Sequence, residues 1–75
     1  MKVIEEQADA LAAETVEAME QLGDMRLFEE IAKSLGSSSQ TAEEAFLTSV
    51  RVRLAVRRAR GLLNEKIAAG TGRAK

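Results

Sequence analysis

The stretch that decides the fold is residues 41–69, TAEEAFLTSVRVRLAVRRARGLLNEKIAA. Thr41 and Glu44 stand at capping-box spacing, where a hydroxyl and a carboxylate each satisfy an amide that the first helical turn leaves orphaned. A helix of about 42–69 is expected, ending before Gly70. Val50-Arg51-Val52-Arg53-Leu54 alternates apolar and basic residues as a half-exposed strand would, but the cap ahead of it and the lack of flanking turn signals favour helix. Wound at 3.6 residues per turn, the segment carries two apolar strips. Phe46, Leu47, Val50 and Leu54 form one, confined to the first half. Ala45, Val52, Val56, Ala59, Leu63 and Ile67 form the other, rotated well away from the first. Arg53, Arg57 and Arg60 lie between them on one side, and Arg51 and Arg58 on the other. A surface helix needs one apolar stripe; a helix with two must be covered twice. The rest of this chain can cover one strip, so a second chain is expected on the other.

Upstream, residues 2–22 read as an amphipathic helix. Ile4, Ala8, Leu11, Thr15, Ala18 and Leu22 recur at alternating steps of four and three, with Ala12, Val16 and Met19 widening the stripe. Alanine at so many of these positions implies close helix approach. Glu5, Glu6, Asp9, Glu14, Glu17 and Glu20 fill the opposite face, the early ones near the positive end of the helix dipole. Gly23 can end this helix in the left-handed conformation and Asp24 can cap the next, although one kinked helix running through residue 23 is the alternative. A second helix over 25–35 sets Phe28, Ile31, Ala32 and Leu35 on one face, and Gly36 with Ser37, Ser38 and Ser39 stops it. The expectation is an all-α chain: a helical hairpin or three-helix unit with helices over about 2–22, 25–35 and 42–69, completing a bundle by dimerisation. Residues 1–69 form its single domain, and 70–75 a disordered tail.

Composition points the same way. Helix formers dominate the 75 residues and proline is absent. A chain this short buries only about 60% of the surface that its unfolded form exposes. There is no cysteine to form a disulfide, and Phe28 and Phe46 are the only aromatic residues, so the core rests on aliphatic side chains and would gain from a partner. No apolar run approaches the roughly 20 residues of a membrane span. The acids at 5, 6 and 9 do not suit a secretory leader, and a cytoplasmic location is expected. The net charge of −1 conceals a polarity: residues 1–44 hold three basic against eleven acidic residues, and residues 45–75 eight basic against Glu65 alone. The halves can neutralise each other within or between chains, or the basic half can seek an external anion.

Catalysis is hard to build here. Without histidine or cysteine, a base or nucleophile must come from carboxylates, hydroxyls or lysine. Glu29-Glu30 and Glu43-Glu44 are helix neighbours that point about 100° apart, so neither pair converges on a reacting atom. The Gly70-Thr71-Gly72 tail lacks the spacing and the Lys-Ser/Thr pair of a phosphate loop. Ser37–Ser39 could accept phosphate near a helix amino end, and otherwise serve as a flexible turn with spare caps. No catalytic residue, cofactor, metal or small-molecule substrate is expected.

Residues 31–42, IAKSLGSSSQTA, resemble the helix-turn-helix of bacterial repressors, whose first helix ends in Ile-Ala-x-x-Leu-Gly and whose second begins with Ser/Thr-type caps. Extended over 31–45, the resemblance implies a small DNA-binding regulator. The sequence departs from that pattern at Ser37, where an aliphatic residue normally locks the two helices together. It departs again at Glu43 and Glu44, since DNA carries one negative charge per about 1.7 Å of axis and repels acids at the start of a recognition helix. The Arg51–Arg60 cluster offers a second, non-specific route to nucleic acid, without aromatic stacking platforms beside it. Membrane-surface attachment lacks bulky aromatic anchors. The favoured expectation is therefore a small non-catalytic regulatory, adaptor or chaperone-like protein that binds another protein through an amphipathic helix and also self-associates. Val52, Val56, Ala59, Leu63 and Ile67 form the expected interface, and Arg53, Arg57, Arg58 and Arg60 the basic contact face.

Overall fold

The computed structural model describes the backbone of residues 2–73 and the side chains of residues 2–70. Three helices make it up: α1 (Lys2–Leu22), α2 (Leu27–Gly36) and α3 (Gln40–Arg73), with no strand among the described residues. The three-helix alternative holds, not the hairpin, and the alternating segment at Val50–Leu54 lies inside α3.

Each junction has a local cause. Gly23 takes φ +67°, the left-handed conformation that ends a helix, and the Asp24 amide donates back to the Met19 carbonyl at 3.1 Å. That closure breaks the chain at residue 23, so the kinked continuous helix does not form. Asp24 does not cap α2 itself: its Oδ1 accepts the Arg26 amide at 3.1 Å, holding a turn, and α2 begins two residues later than expected, at Leu27. At the other end Ser37, Ser38 and Ser39 send their amides back to the carbonyls of Lys33 and Leu35. Ser39, not Thr41, caps α3, since its Oγ accepts the Ala42 amide at 3.1 Å. Ser39 thus joins the two helices, its amide closing the end of α2 and its hydroxyl opening α3, and the helix starts one residue ahead of the expected cap. Gly36 leaves room for this junction: a Cβ there would lie 2.5 Å from Glu43 Oε1. At its far end α3 continues past the expected stop at Ala69 to Arg73, and the rest of the expected tail, 74–75, lies outside the described residues.

The buried core joins all three helices. Ala8, Ala12 and Val16 of α1, Ala32 of α2, and Phe46 and Val50 of α3 form one cluster, with Leu11, Phe28, Ile31, Leu35, Leu47 and Leu54 packed around it. The first strip of α3 is thus covered as expected. On α1 the buried line is Ala8, Ala12, Thr15, Val16 and Met19, within the expected stripe but rotated toward the flank that widens it, so that Leu22 is left 69% exposed. The rotation presents the small side chains of Ala8 and Ala12 within the same cluster as Phe46, the largest fully buried side chain. Thr15 is tolerated in the core because its hydroxyl donates to the Leu11 carbonyl at 2.8 Å.

Asp9 pairs with Arg53 and Glu20 with Arg57, so the contacts climb α1 and α3 in the same order and the two helices run parallel. The short α2 returns the chain between them. At about 1.5 Å per residue α3 is roughly 51 Å long and α1 roughly 31 Å, so α3 outruns its support. From Ala55 to Ala69 every side chain of α3 is exposed. The molecule measures 57 × 28 × 13 Å, and its radius of gyration is 16.0 Å where a compact chain of this length has about 11 Å. A compact body with a projecting helical arm accounts for both figures.

Candidate interaction surface

The arm projects because its sequence changes face. Through Leu54, positions in line with Phe46 and Val50 are apolar and buried. Beyond it the same line passes through Arg57, Gly61, Asn64, Glu65 and Ala68, which offer α1 and α2 little to bury against. The second strip runs on without a break. Val52, Val56, Leu63 and Ile67 are 55%, 47%, 57% and 56% exposed, Ala59 between them is exposed too, and Leu62 adds apolar surface to one side. Only Ala45, at the strip's beginning, packs against the core. From Val52 to Ile67 the strip is roughly 22 Å long at helical rise.

Where this strip passes α1, the two helices form an open groove of about 1010 Å³. Ala13 and Val16 of α1 and Ala45, Val52 and Val56 of α3 supply apolar lining, with Glu5 and Asp9 on one wall and Arg53, Arg57 and Arg60 on the other. A polar node fixes the spacing of the walls. Ser49 Oγ donates to Asp9 Oδ1 at 2.6 Å, and Arg53 Nη2 donates to the same oxygen at 2.9 Å. Arg53 Nε also donates to Ser49 Oγ at 3.3 Å. The Ser49 hydrogen bond, with the Arg53 guanidinium behind it, holds the Asp9 carboxyl below its ordinary range. Further along, Arg57 pairs with Glu20.

These pairs divide the expected basic face. Arg53 and Arg57 are engaged by α1, so part of the charge polarity is neutralised within the chain. Among the described residues no ion pair involves Arg51, Arg58 or Arg60. Of the expected basic face, Arg58 and Arg60 are thus exposed and outside these pairs, one on each side of the second strip. Sequence reasoning grouped Asp9 with the solvated acids of α1 and missed its node. Asp9 and Arg53 stand 44 positions apart, and only the parallel course of α1 and α3 brings them together.

The helix-turn-helix-like segment lies at the α2–α3 junction. The first turn of α3 there presents Gln40, Thr41 and Glu44 to solvent, with Glu43 half-buried against Gly36. Glu29 and Glu30 are exposed on α2, and no cluster of three or more potential metal ligands occurs among the described residues. No described helix is long and apolar enough to cross a membrane. No protein-family model matches the chain, and no curated protein or solved structure is significantly similar to it.

Proposed function

We propose that the chain is a small non-catalytic interaction module of the regulatory, adaptor or chaperone-like kind, working in the cytoplasm. Its working surface is the second strip of α3, which receives an amphipathic helix from another polypeptide, a copy of itself included. The observation that carries this reading is the exposure of Val52, Val56, Leu63 and Ile67 in one line on a helix that its own chain leaves uncovered. An apolar line of that length on a monomer is characteristic of an association surface. Arg58 and Arg60 beside it steer an acidic partner into place. The test is the double substitution Val56→Asp and Leu63→Asp, which touches no core contact. Assembly should be lost while helicity is retained; a variant with unchanged mass and unchanged partner binding would place the surface elsewhere.

A DNA-binding regulator is the second reading, favoured by the exposure of Arg51, Arg58 and Arg60 along one helix. Titration of labelled duplex at two salt concentrations separates the two. Binding that weakens steeply with salt and disappears on replacement of Arg58 and Arg60 would favour DNA over protein.

A further inference from the structure

We infer that the strip is covered by a second copy of the chain, lying antiparallel, with the arm of each copy seated in the α1–α3 groove of the other. The inference rests on the reading of the strip as an association surface, and adds its occupant and direction. The order of the strip is its own complement when reversed. Setting Val52 against the second copy's Ile67 sets Val56 against its Leu63 and brings Ala59 to the two-fold axis, where a small side chain permits close approach. In this register Leu63 and Ile67 of each arm enter the partner's groove beside Val52 and Val56, where about 1010 Å³ stands open.

Charge selects the direction. Residues 58–73 hold four basic residues against Glu65, whereas residues 2–22 hold six acids against Lys2. Antiparallel pairing lays each basic arm along the acidic α1 of the other copy. Parallel pairing would set the two basic arms side by side and leave the acids of α1 other than Asp9 and Glu20 without a basic counterpart from the second copy, which opposes association. The same α1–α3 charge pattern already operates within one chain, where Asp9 and Glu20 take Arg53 and Arg57.

The chain has no cysteine, so single cysteines report on the register without background. Val52→Cys, Ala59→Cys and Ile67→Cys all lie on exposed positions, and circular dichroism checks that each variant keeps its helicity. Light scattering should give about twice the 8.1 kDa of the chain. Under oxidation, or with a short bis-maleimide, Ala59→Cys should link to itself. An equimolar mixture of Val52→Cys and Ile67→Cys should link in severalfold excess over either variant alone. Self-linking of Val52→Cys and of Ile67→Cys at the level of the mixture overturns the antiparallel arrangement and leaves a parallel dimer on the same strip; a mass of one chain at every concentration overturns the second copy and leaves the strip as a surface for a different protein. A dimer whose mass survives Val56→Asp with Leu63→Asp overturns this inference and the reading beneath it together.

Discussion

Two valines six positions apart on α3 give the sharpest contrast that the structure offers. Val50 is fully buried beside Phe46, Ala8, Ala12 and Val16, whereas Val56 is 47% exposed on the free strip. Valine to alanine removes two carbons. At about 0.8 kcal/mol per buried carbon this loses about 1.6 kcal/mol of transfer free energy at position 50, and the cavity left behind raises the cost to about 2–3 kcal/mol. A chain of this size has a stability on the order of 4–11 kcal/mol, so Val50→Ala removes a large share of it. At position 56 roughly half of the transfer term, about 0.8 kcal/mol, is at stake within one chain, and the better helix propensity of alanine offsets part of it. The other half is gained only on docking. In a symmetric dimer the loss occurs twice, about 1.6 kcal/mol, which weakens association roughly tenfold. Urea denaturation followed by far-ultraviolet circular dichroism, over a roughly hundredfold range of protein concentration, separates the two effects. Val50→Ala should lower the midpoint at every concentration, and Val56→Ala chiefly where the wild-type chain is assembled. Equal, concentration-independent destabilisation by both would mean that the arm folds back onto its own body, and the account of the projecting helix would be wrong.

Other consequences follow from single contacts. Gly23→Ala forces a side chain into φ +67° and should cost about 1–2 kcal/mol, read as a drop in thermal midpoint. Ser39→Ala removes the cap of α3 and should cost about 1 kcal/mol, while Thr41→Ala, lacking a cap role, should stay within about 0.5 kcal/mol of wild type. Asp9 has a depressed carboxyl pKa, so its node stabilises the fold above the unfolded carboxylate value of about 3.9, and that contribution is lost as pH falls through the folded value. Carboxyl titration by nuclear magnetic resonance should therefore show Asp9 protonating below the ordinary aspartate value, and Ser49→Ala with Arg53→Gln should move it back up; an unchanged Asp9 would deny the node.

Much of the fold was legible because local signals and burial agreed. The limits of α1 follow from its apolar period and Gly23, and the two strips of α3 follow from spacing alone. The errors came where two local signals competed. Thr41 and Ser39 are both competent caps, and the choice depended on where α2's last carbonyls take their amides, which no pattern in α3 reveals. Ala12, Val16 and Met19, expected only to widen the seam of α1, are buried, whereas Leu22 is exposed and Ile4 and Leu11 are half-buried, because the packing around Phe46 called for small neighbours that a ranking by hydrophobicity places below leucine. The exposure of the second strip was readable, since its spacing turns it away from the strip that α1 and α2 cover. Its acidic wall was not, because pairing Asp9 with Ser49 and Arg53 requires the parallel course of helices that the sequence leaves open.

The central claim is that the uncovered strip of α3 is where this protein associates, and the solution mass tests it most directly. Light scattering with refractive-index detection suits a chain without tryptophan or tyrosine. The wild-type chain should rise from one chain toward two with concentration, and the Val56→Asp, Leu63→Asp variant should remain at 8.1 kDa with its helicity intact. A wild-type chain that stays at 8.1 kDa throughout and binds no protein through the strip, or a variant that assembles as the wild type does, would contradict the account.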